Sequence, residues 1–457
     1  MNKKNIFTCL IGLLIISSFL SNFSNAQSVN EKNPDSDRAL PFFGYVPSEN
    51  INEISHESET IEVLSSLPSS WDWRDVEGYD FTTPVKSQGS CGSCWAFAAI
   101  GALESVIKLE NQNACNTPDL SEQYLVSCCD GFCNGCRGGC AYYALRWLDR
   151  EDKIPNEGNF SYTAIDANGC KGDDDCGYPP TNCKSGDWSD YSIGNPYATD
   201  DPSISSLKED LIKKGPLVTT MVASDNLYDT YDGGVYHYFK DANDKLKKEG
   251  SNPNHQAVIV GYQDVERSIL HPYDGYWICK NSWGTDWGEN GWFRVAYGYC
   301  LIDASRIISP EYSNPDAPDP KLDVSKNSLY FQKGDTIQTF RIENIGDEDS
   351  LLIWYTTHWI DSGTIKSISP SSGILKKGEP VRVDVEKFRS VRLAGELDIH
   401  IYRSDKYSDH KIRISTQLQK DKKISIQPLQ QMFFNHPNLF PLLQRLLNNL
   451  NLPAFQQ

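Results

Sequence analysis

Two cysteines three apart, Cys91 and Cys94, sit in the run Gln88-Gly89-Ser90-Cys91-Gly92-Ser93-Cys94-Trp95-Ala96-Phe97. Phe97, Ile100, Leu103, Val106 and Ile107 then recur at helical spacing, which predicts a one-sided helix over Trp95 to Leu109 with Cys94 at or next to its N-terminus. Unpaired N–H groups and the positive dipole end favour a thiolate there, as a cysteine nucleophile requires. Such chemistry also needs a base, a group that orients the base, and donors for an oxyanion. Three histidines, His237, His255 and His271, lie between the helix and Ser309, and His255 has an apolar strand-like run behind it. A zinc knuckle or a redox-active Cys-x-x-Cys pair would need neither the Gln88 nor the Trp95 flank, and no βαβ pattern surrounds the motif.

Helices and strands must hold these groups. Leu120 to Cys128 reads as a helix capped by Ser121, and Ser205 to Lys214 as a second that stops at Gly215-Pro216. Leu217 to Ala223 reads as a strand. Asn254 to Tyr262 and Tyr276 to Gly284 begin or follow short β-rich runs. A barrel-like sheet in the second half therefore faces helices in the first, an α+β arrangement.

The 457 residues are enough for two or three domains, and the net charge of −18 argues against nucleic acid and anionic membrane as partners. Residues 1–26 read as a secretory signal peptide: Lys3 and Lys4, an apolar stretch from Ile6 to Leu20, and Ser24-Asn25-Ala26 at the cleavage point. No later apolar run is long enough to span a bilayer, so a secreted protein without an integral membrane segment is expected. Of the 14 cysteines, Cys9 falls in the signal and Cys94 is the candidate nucleophile; the others lie between Cys91 and Cys300 and read as a disulfide framework with exceptions.

Cys91-Gly92-Ser93-Cys94-Trp95 matches the local signature of the papain and cathepsin group. Asn254-His255-Gln256-Ala257 and Asn281-Ser282-Trp283-Gly284 supply two further motifs, so residues 67–310 resemble a papain-like cysteine peptidase, opening at Leu67-Pro68-Ser69-Ser70-Trp71. The resemblance implies a two-lobed fold and an endopeptidase needing no metal or cofactor and acting on polypeptides. It assigns Cys94 as nucleophile, His255 as base, Asn281 as its orienting partner under Trp283, and Gln88 with the Cys94 N–H as oxyanion donors. His255 lies somewhat further from Cys94 than the roughly 130–150 residues usual in the family. The cysteine-rich stretch Cys129 to Cys183 accounts for the excess.

Gly138 and Gly139 of the Gly-Cys-x-Gly-Gly-like segment would let a substrate strand approach. The same resemblance implies Cys91–Cys136, Cys128–Cys170 and, by local similarity to cathepsin B, a Cys129–Cys133 loop. The histidine-bearing exopeptidase loop of cathepsin B has no counterpart, since no histidine falls between His56 and His237. The family's usual partner for the Cys300 position, a cysteine just before the histidine, has no counterpart in Leu227 to Asn254, which leaves Cys279 as the candidate partner of Cys300; Cys115, Cys140, Cys176 and Cys183 have no readable connectivity. By resemblance Ala141, Thr220, Pro253 and Ser305 fall near the main side-chain pocket, which lacks an acidic residue and suits a medium apolar side chain. Residues 27–66 lack a long helical propeptide pattern. Within them Pro41-Phe42-Phe43-Gly44-Tyr45-Val46-Pro47 could lie in a groove as a short inhibitory strand, or the segment is a linker.

Residues 311–320, rich in proline, aspartate and asparagine, read as a linker. Over 321–419 the period changes to two, as in Ile337 to Ile342, Val381 to Val385 and Leu397 to Tyr402, which predicts an all-β sandwich. Ser369-Pro370-Ser371-Ser372-Gly373 and the Trp354 to Trp359 region are similar to bacterial Ig-like modules attached to secreted enzymes. Such a module would be a spacer or would bind a surface or carbohydrate ligand. In the 420–457 tail, Leu439, Leu442, Leu443, Leu446, Leu447 and Leu450 make one face of an amphipathic helix. Two rivals to hydrolysis stand: a peptide ligase or acyl-transferase using the same site, and a surface-binding protein with a vestigial peptidase.

Overall fold

The computed structural model describes residues 44–45 and 67–416, apart from 152, 166–188, 201, 238–252, 270, 304, 390 and 403–408. The signal segment, Cys170, Cys176, Cys183 and the C-terminal helix lie outside the described residues.

The helical lobe is built on α1 (Cys94–Glu110) with α2 (Glu122–Cys128) and α3 (Ala141–Glu151) against it. The sequence predicts a one-sided α1, but every residue of it is buried, because helices cover one flank and sheet the other. Its charged residues survive burial by pairing: Lys108 Nζ donates to the Thr82 carbonyl at 2.6 Å, and Glu104 Oε2 accepts from Thr83 Oγ1 at 2.6 Å. α2 starts where Ser121 Oγ accepts the Tyr124 N–H at 3.0 Å, a side-chain N-cap.

The second lobe is an eight-stranded sheet: β1 (Ser70–Asp72), β2 (Ile193–Thr199), β3 (Leu217–Met221), β4 (Val235–Tyr236), β5 (His255–Asp264), β6 (Gly275–Lys280), β7 (Trp292–Ala296) and β8 (Ile307–Tyr312). The order is β2-β8-β3-β5-β6-β7-β4, with β1 added to β5. α4 (Ile204–Lys214) buries Leu207, Leu211 and Ile212 and precedes β3. β5 is the central strand, buried from His255 to Tyr262, as a near-continuous apolar run demands. It pairs with β3 with His255 opposite Met221, and with β6 with Val258 opposite Lys280. Continuing the second register past the end of β6 brings Asn281 and Trp283 alongside the start of β5. Glu311 and Tyr312, expected in the linker, instead continue β8 through a bulge and pair with Gly194 and Ile193.

Two further sheets follow. One orders β9 (Leu322–Val324), β11 (Ile337–Asn344), β15 (Pro380–Lys387) and β13 (Ile365–Ser369) as β9-β11-β15-β13. The other orders β10 (Ser328–Phe331), β17 (His410–Thr416), β16 (Ala394–Ile401), β12 (Leu351–Ser362) and β14 (Ser372–Lys376) as β10-β17-β16-β12-β14. Alternating residues such as Leu397, Ile399 and Ile401 meet Val383 and Val385 in a separate core. This β region is packed on the second lobe. Leu351, Ile353, Tyr355, Ile374 and Tyr402 join the core of the eight-stranded sheet, and the Tyr402 ring meets Trp73 edge-on at 5.8 Å. The Leu351 N–H donates to Gln112 Oε1 at 2.6 Å and the Ile374 N–H to Glu77 Oε2 at 2.9 Å.

Candidate active site

Cys94 is the first residue of α1 and is wholly buried. The loop before it is clamped by the Cys91–Cys136 disulfide and by the Gly92 N–H on the Cys136 carbonyl at 3.1 Å. The Ser93 hydroxyl does not cap the helix; it meets Tyr162 Oη at 2.6 Å. Cys94 Sγ receives the Gln256 N–H at 3.4 Å. Burial pushes the thiol up to about 12, with the Gln256 and Trp95 N–H groups pulling the other way. Burial thus opposes the thiolate expected from helix position alone. A helix end contributes about 0.3–1 kcal/mol, which does not offset complete desolvation of the charge.

His255 opens β5, and its Nε2 lies 2.9 Å from Asn281 Oδ1. That oxygen also accepts the Ser282 N–H at 2.8 Å, so it is an acceptor and Nε2 carries the proton. Nδ1 is then the nitrogen that can exchange a proton with a reacting group. Trp283 covers the imidazole at 4.7 Å between ring centroids and is braced edge-on by Trp287 at 4.6 Å. Burial lowers His255 to about 4, against the raising effect of the Asn281 bond. Gln88 is fixed at both ends of its amide: Ser282 Oγ donates to Oε1 at 2.7 Å, and Nε2 donates to the Cys91 carbonyl at 2.9 Å.

The Gly139 N–H donates to the Gly44 carbonyl at 2.8 Å, and Tyr45 forms a parallel bridge with Gly139. Both glycines are required by space. A Cβ on Gly139 would come within 2.7 Å of the Trp95 ring, and one on Gly44, at φ +110°, within 1.9 Å of the Gly92 carbonyl oxygen. The two described residues of the 27–66 segment thus lie in the cleft. The Tyr45 N–H reaches the Asn254 carbonyl at 3.4 Å, and its ring lies near Thr220, Cys140 and Arg306. Of the expected pocket residues, Thr220 Oγ1 accepts from Gln256 Nε2 at 3.2 Å, and Ala141 is tied by its N–H to Gln256 Oε1 at 2.9 Å. Pro253 and Ser305 adjoin in sequence the residues that make contact, Asn254 and Arg306. Arg306, just before β8, accepts the Thr220 hydroxyl on its carbonyl at 3.1 Å and is ion-paired to Asp200 at 2.8 Å.

Residues 67–309 match the family model described as papain family cysteine protease. The chain belongs to that family. It is 34% identical over 234 residues to the viral cathepsin of Cydia pomonella granulosis virus, covering 51% of this chain and 59% of the relative. It is 33% identical over 253 residues to Bos taurus cathepsin S, covering 55% and 66%. The chain therefore spans less than two thirds of either relative. Digestive procathepsin L2 from Tenebrio molitor larval midgut is a similar solved structure, with 27% identity and a TM-score of 0.46 over 68% of this chain and 94% of that one.

Within this papain-family domain the described disulfides are Cys91–Cys136 and Cys129–Cys133; Cys128 is also bonded, and its expected partner Cys170 is not described. Cys279 and Cys300 do not pair. Both are buried free thiols, as is Cys140, while Cys115 is free and exposed. Their burial pushes them away from ionisation, so in this lobe they pack as small apolar side chains.

Three groups escaped the sequence reading. Gln256 reaches the thiol by its backbone and two pocket residues by its side chain, donating to Thr220 Oγ1 at 3.2 Å as well as accepting from Ala141. A lone amide in the apolar run after His255 was its signal. Ser282, between Asn281 and Trp283, locks Gln88. The third is a buried cluster beside α1, in which Lys86 Nζ meets Glu104 at 3.1 Å, Asp119 at 2.8 Å and Glu122 at 2.9 Å. Nothing in the spacing of those residues announces that convergence. Among the described residues no helix is long and apolar enough to cross a membrane.

Proposed function

We propose that this chain is an exported cysteine endopeptidase, described here in a covered, latent state. The observation that carries the reading is the convergence, inside a papain-family domain, of Cys94 at a helix N-terminus with a His255–Asn281 pair held at 2.9 Å under Trp283. In the uncovered enzyme Cys94 transfers its proton to His255 Nδ1, and the thiolate attacks a peptide carbonyl. The Cys94 N–H and Gln88 Nε2 receive the oxyanion; losing one such donor costs about 10²–10³-fold in rate. His255 then protonates the leaving amine, and water hydrolyses the thioester with His255 as base. Asn281 keeps the ring in the tautomer this sequence of steps needs.

Gly44 and Tyr45 support latency. A substrate places the residue that fills the pocket immediately before the one attacked. In this chain the neighbour on the Cys94 side, Gly44 against Gly92, precedes Tyr45 instead. The segment therefore runs backwards and offers no correctly directed peptide bond. Removal of the segment, with the mature chain starting near Leu67, would open the cleft.

The test compares secreted wild type with Cys94→Ala for cleavage of an unfolded protein, with an epoxide inhibitor of cysteine peptidases as label. Thiol-dependent cleavage and labelling confined to the wild type are expected. A folded, processed wild type that neither cleaves nor labels would sink the reading.

A further inference from the structure

We propose that Tyr162 is a positioning residue for the oxyanion donors, setting their spacing through hydrogen bonds to Gln88 and Ser93. This role rests on the peptidase reading of the same site. The Tyr162 hydroxyl donates to the Gln88 carbonyl at 2.8 Å and lies 2.6 Å from Ser93 Oγ. A phenol has one hydrogen to give. The Gln88 carbonyl takes it, so Ser93 donates its own hydrogen to Tyr162 Oη. Burial raises the phenol above its ordinary range, which keeps the donated hydrogen on the oxygen.

Ser93 stands at the N-cap of α1, where a serine oxygen ordinarily accepts a helix N–H. It makes no such bond here. Its carbonyl takes the Ala96 and Phe97 N–H groups at 2.9 and 3.2 Å, and its hydroxyl turns to Tyr162 instead. One end of the bridge therefore holds the residue whose peptide carries the Cys94 N–H. The other end holds Gln88, which Ser282 grips from elsewhere, accepting its N–H at 2.8 Å and donating to its side-chain oxygen at 2.7 Å. Between the two ends runs a tight loop, with Gly89 at φ +57° and the Cys91 N–H on the Gln88 carbonyl at 3.3 Å. The phenol is itself firmly carried. Its ring meets Phe97 of α1 edge-on at 4.8 Å, the Tyr162 N–H donates to Glu157 Oε1 at 2.6 Å, and the Thr163 N–H to Gln123 Oε1 at 2.8 Å.

The experiment uses the processed enzyme and Tyr162→Phe, which keeps the ring against Phe97 and deletes the bridge. Two probes of Cys94 separate the oxyanion donors from the thiol. A peptide aldehyde puts an oxygen on a tetrahedral carbon bonded to Cys94, whereas dipyridyl disulfide exchanges with the thiolate and develops no oxyanion. Misplacing a donor should cost a fraction of the 10²–10³-fold that losing one costs, about 10–30-fold in kcat with KM within about twofold of wild type. Aldehyde affinity should fall by the same factor, and the rate of disulfide exchange should stay within about twofold. In a Gln88→Ala background the same substitution should cost less than about threefold, because one of the two donors it spaces is gone. Should Tyr162→Phe not fold, Ser93→Ala breaks the bridge from the α1 side and is read with the same probes. Equal losses with both probes, full additivity with Gln88→Ala, or an undiminished kcat overturns the assignment of Tyr162 alone. A wild type that neither cleaves an unfolded protein nor exchanges with the disulfide overturns the peptidase reading and this proposal with it.

Discussion

At Lys86, burial alone would remove the charge, yet Glu104 and Glu122 raise the ammonium's pKa above its ordinary value. At Cys94 and His255, burial is the largest influence, and it pushes both groups towards their neutral forms. Both clusters lie beside α1 in the same domain. What differs is the partner set: three carboxylates converge on Lys86, whereas the reacting pair has amides and an indole. The first cluster is built to stay charged and to tie α1 to the segment that opens α2. The second depends on solvent access for its charge, so a covering strand can silence it without any change in its residues.

Removing a partner at each cluster should therefore give different kinds of loss. Cys94→Ala should abolish peptide hydrolysis, by roughly 10⁴–10⁶-fold, while leaving the urea midpoint of the unprocessed chain nearly unchanged; progress curves and an unfolding titration check both. Lys86→Met should do the reverse at first hand. Stranding Glu104 and Glu122 should cost about 3–5 kcal/mol of stability, read as a lower urea midpoint. Glu122 is raised above its ordinary value by burial, with Lys86 pulling it back down, so it binds a proton more readily in the folded state. The loss should thus be smallest at pH 5, where Glu122 accepts a proton, and grow as pH rises.

The pair itself carries an opposite pH signature. His255 is lowered by burial from 6.5 to about 4, so the folded, covered chain binds fewer protons there than the unfolded chain. Its contribution is complete above pH 6.5 and is lost as pH falls towards 4, a loss on the order of 3 kcal/mol. The unprocessed wild type should lose that stability between pH 6.5 and 4 in urea titrations, and a His255→Gln variant should lack the matching slope. Identical slopes would mean that the imidazole is not desolvated by the cover.

Much of this arrangement was legible before any coordinates. Periodicity placed α1, α2, α4 and the sandwich strands β11, β15 and β16, and three local motifs pointed to Cys94, His255 and Asn281. Periodicity fails where burial is total: α1 looks one-sided because Glu104, Ser105 and Lys108 are polar, yet each is buried with a partner. Motifs fail where a site is assembled from distant, unremarkable residues. Arg306 and Asp200 meet from two different strand ends, and Lys86 gathers Glu104, Asp119 and Glu122 from two helices and a loop. The sandwich was legible as an element but not as a neighbour, because its docking residues, Leu351, Ile353, Ile374 and Tyr402, look like any other inward-facing positions.

The covering strand offers the finest cut between the two clusters. Gly44 sits at φ +110° with the Gly92 carbonyl where a Cβ would be. Gly44→Val therefore cannot keep that backbone without moving away from Cys94, and the Gly139 N–H loses the carbonyl it donates to at 2.8 Å. One lost hydrogen bond of about 1–1.5 kcal/mol corresponds to roughly tenfold more uncovered chain. Unprocessed Gly44→Val should therefore react with the epoxide about tenfold faster than unprocessed wild type. Its Lys86 cluster lies outside the strand's contacts, so the urea midpoint should follow the wild type far more closely than that of Lys86→Met. Faster labelling with an unchanged midpoint would assign the silence of Cys94 to the cover. Unchanged labelling would assign it to the walls of the cleft, and the contrast between the two clusters would no longer depend on solvent access.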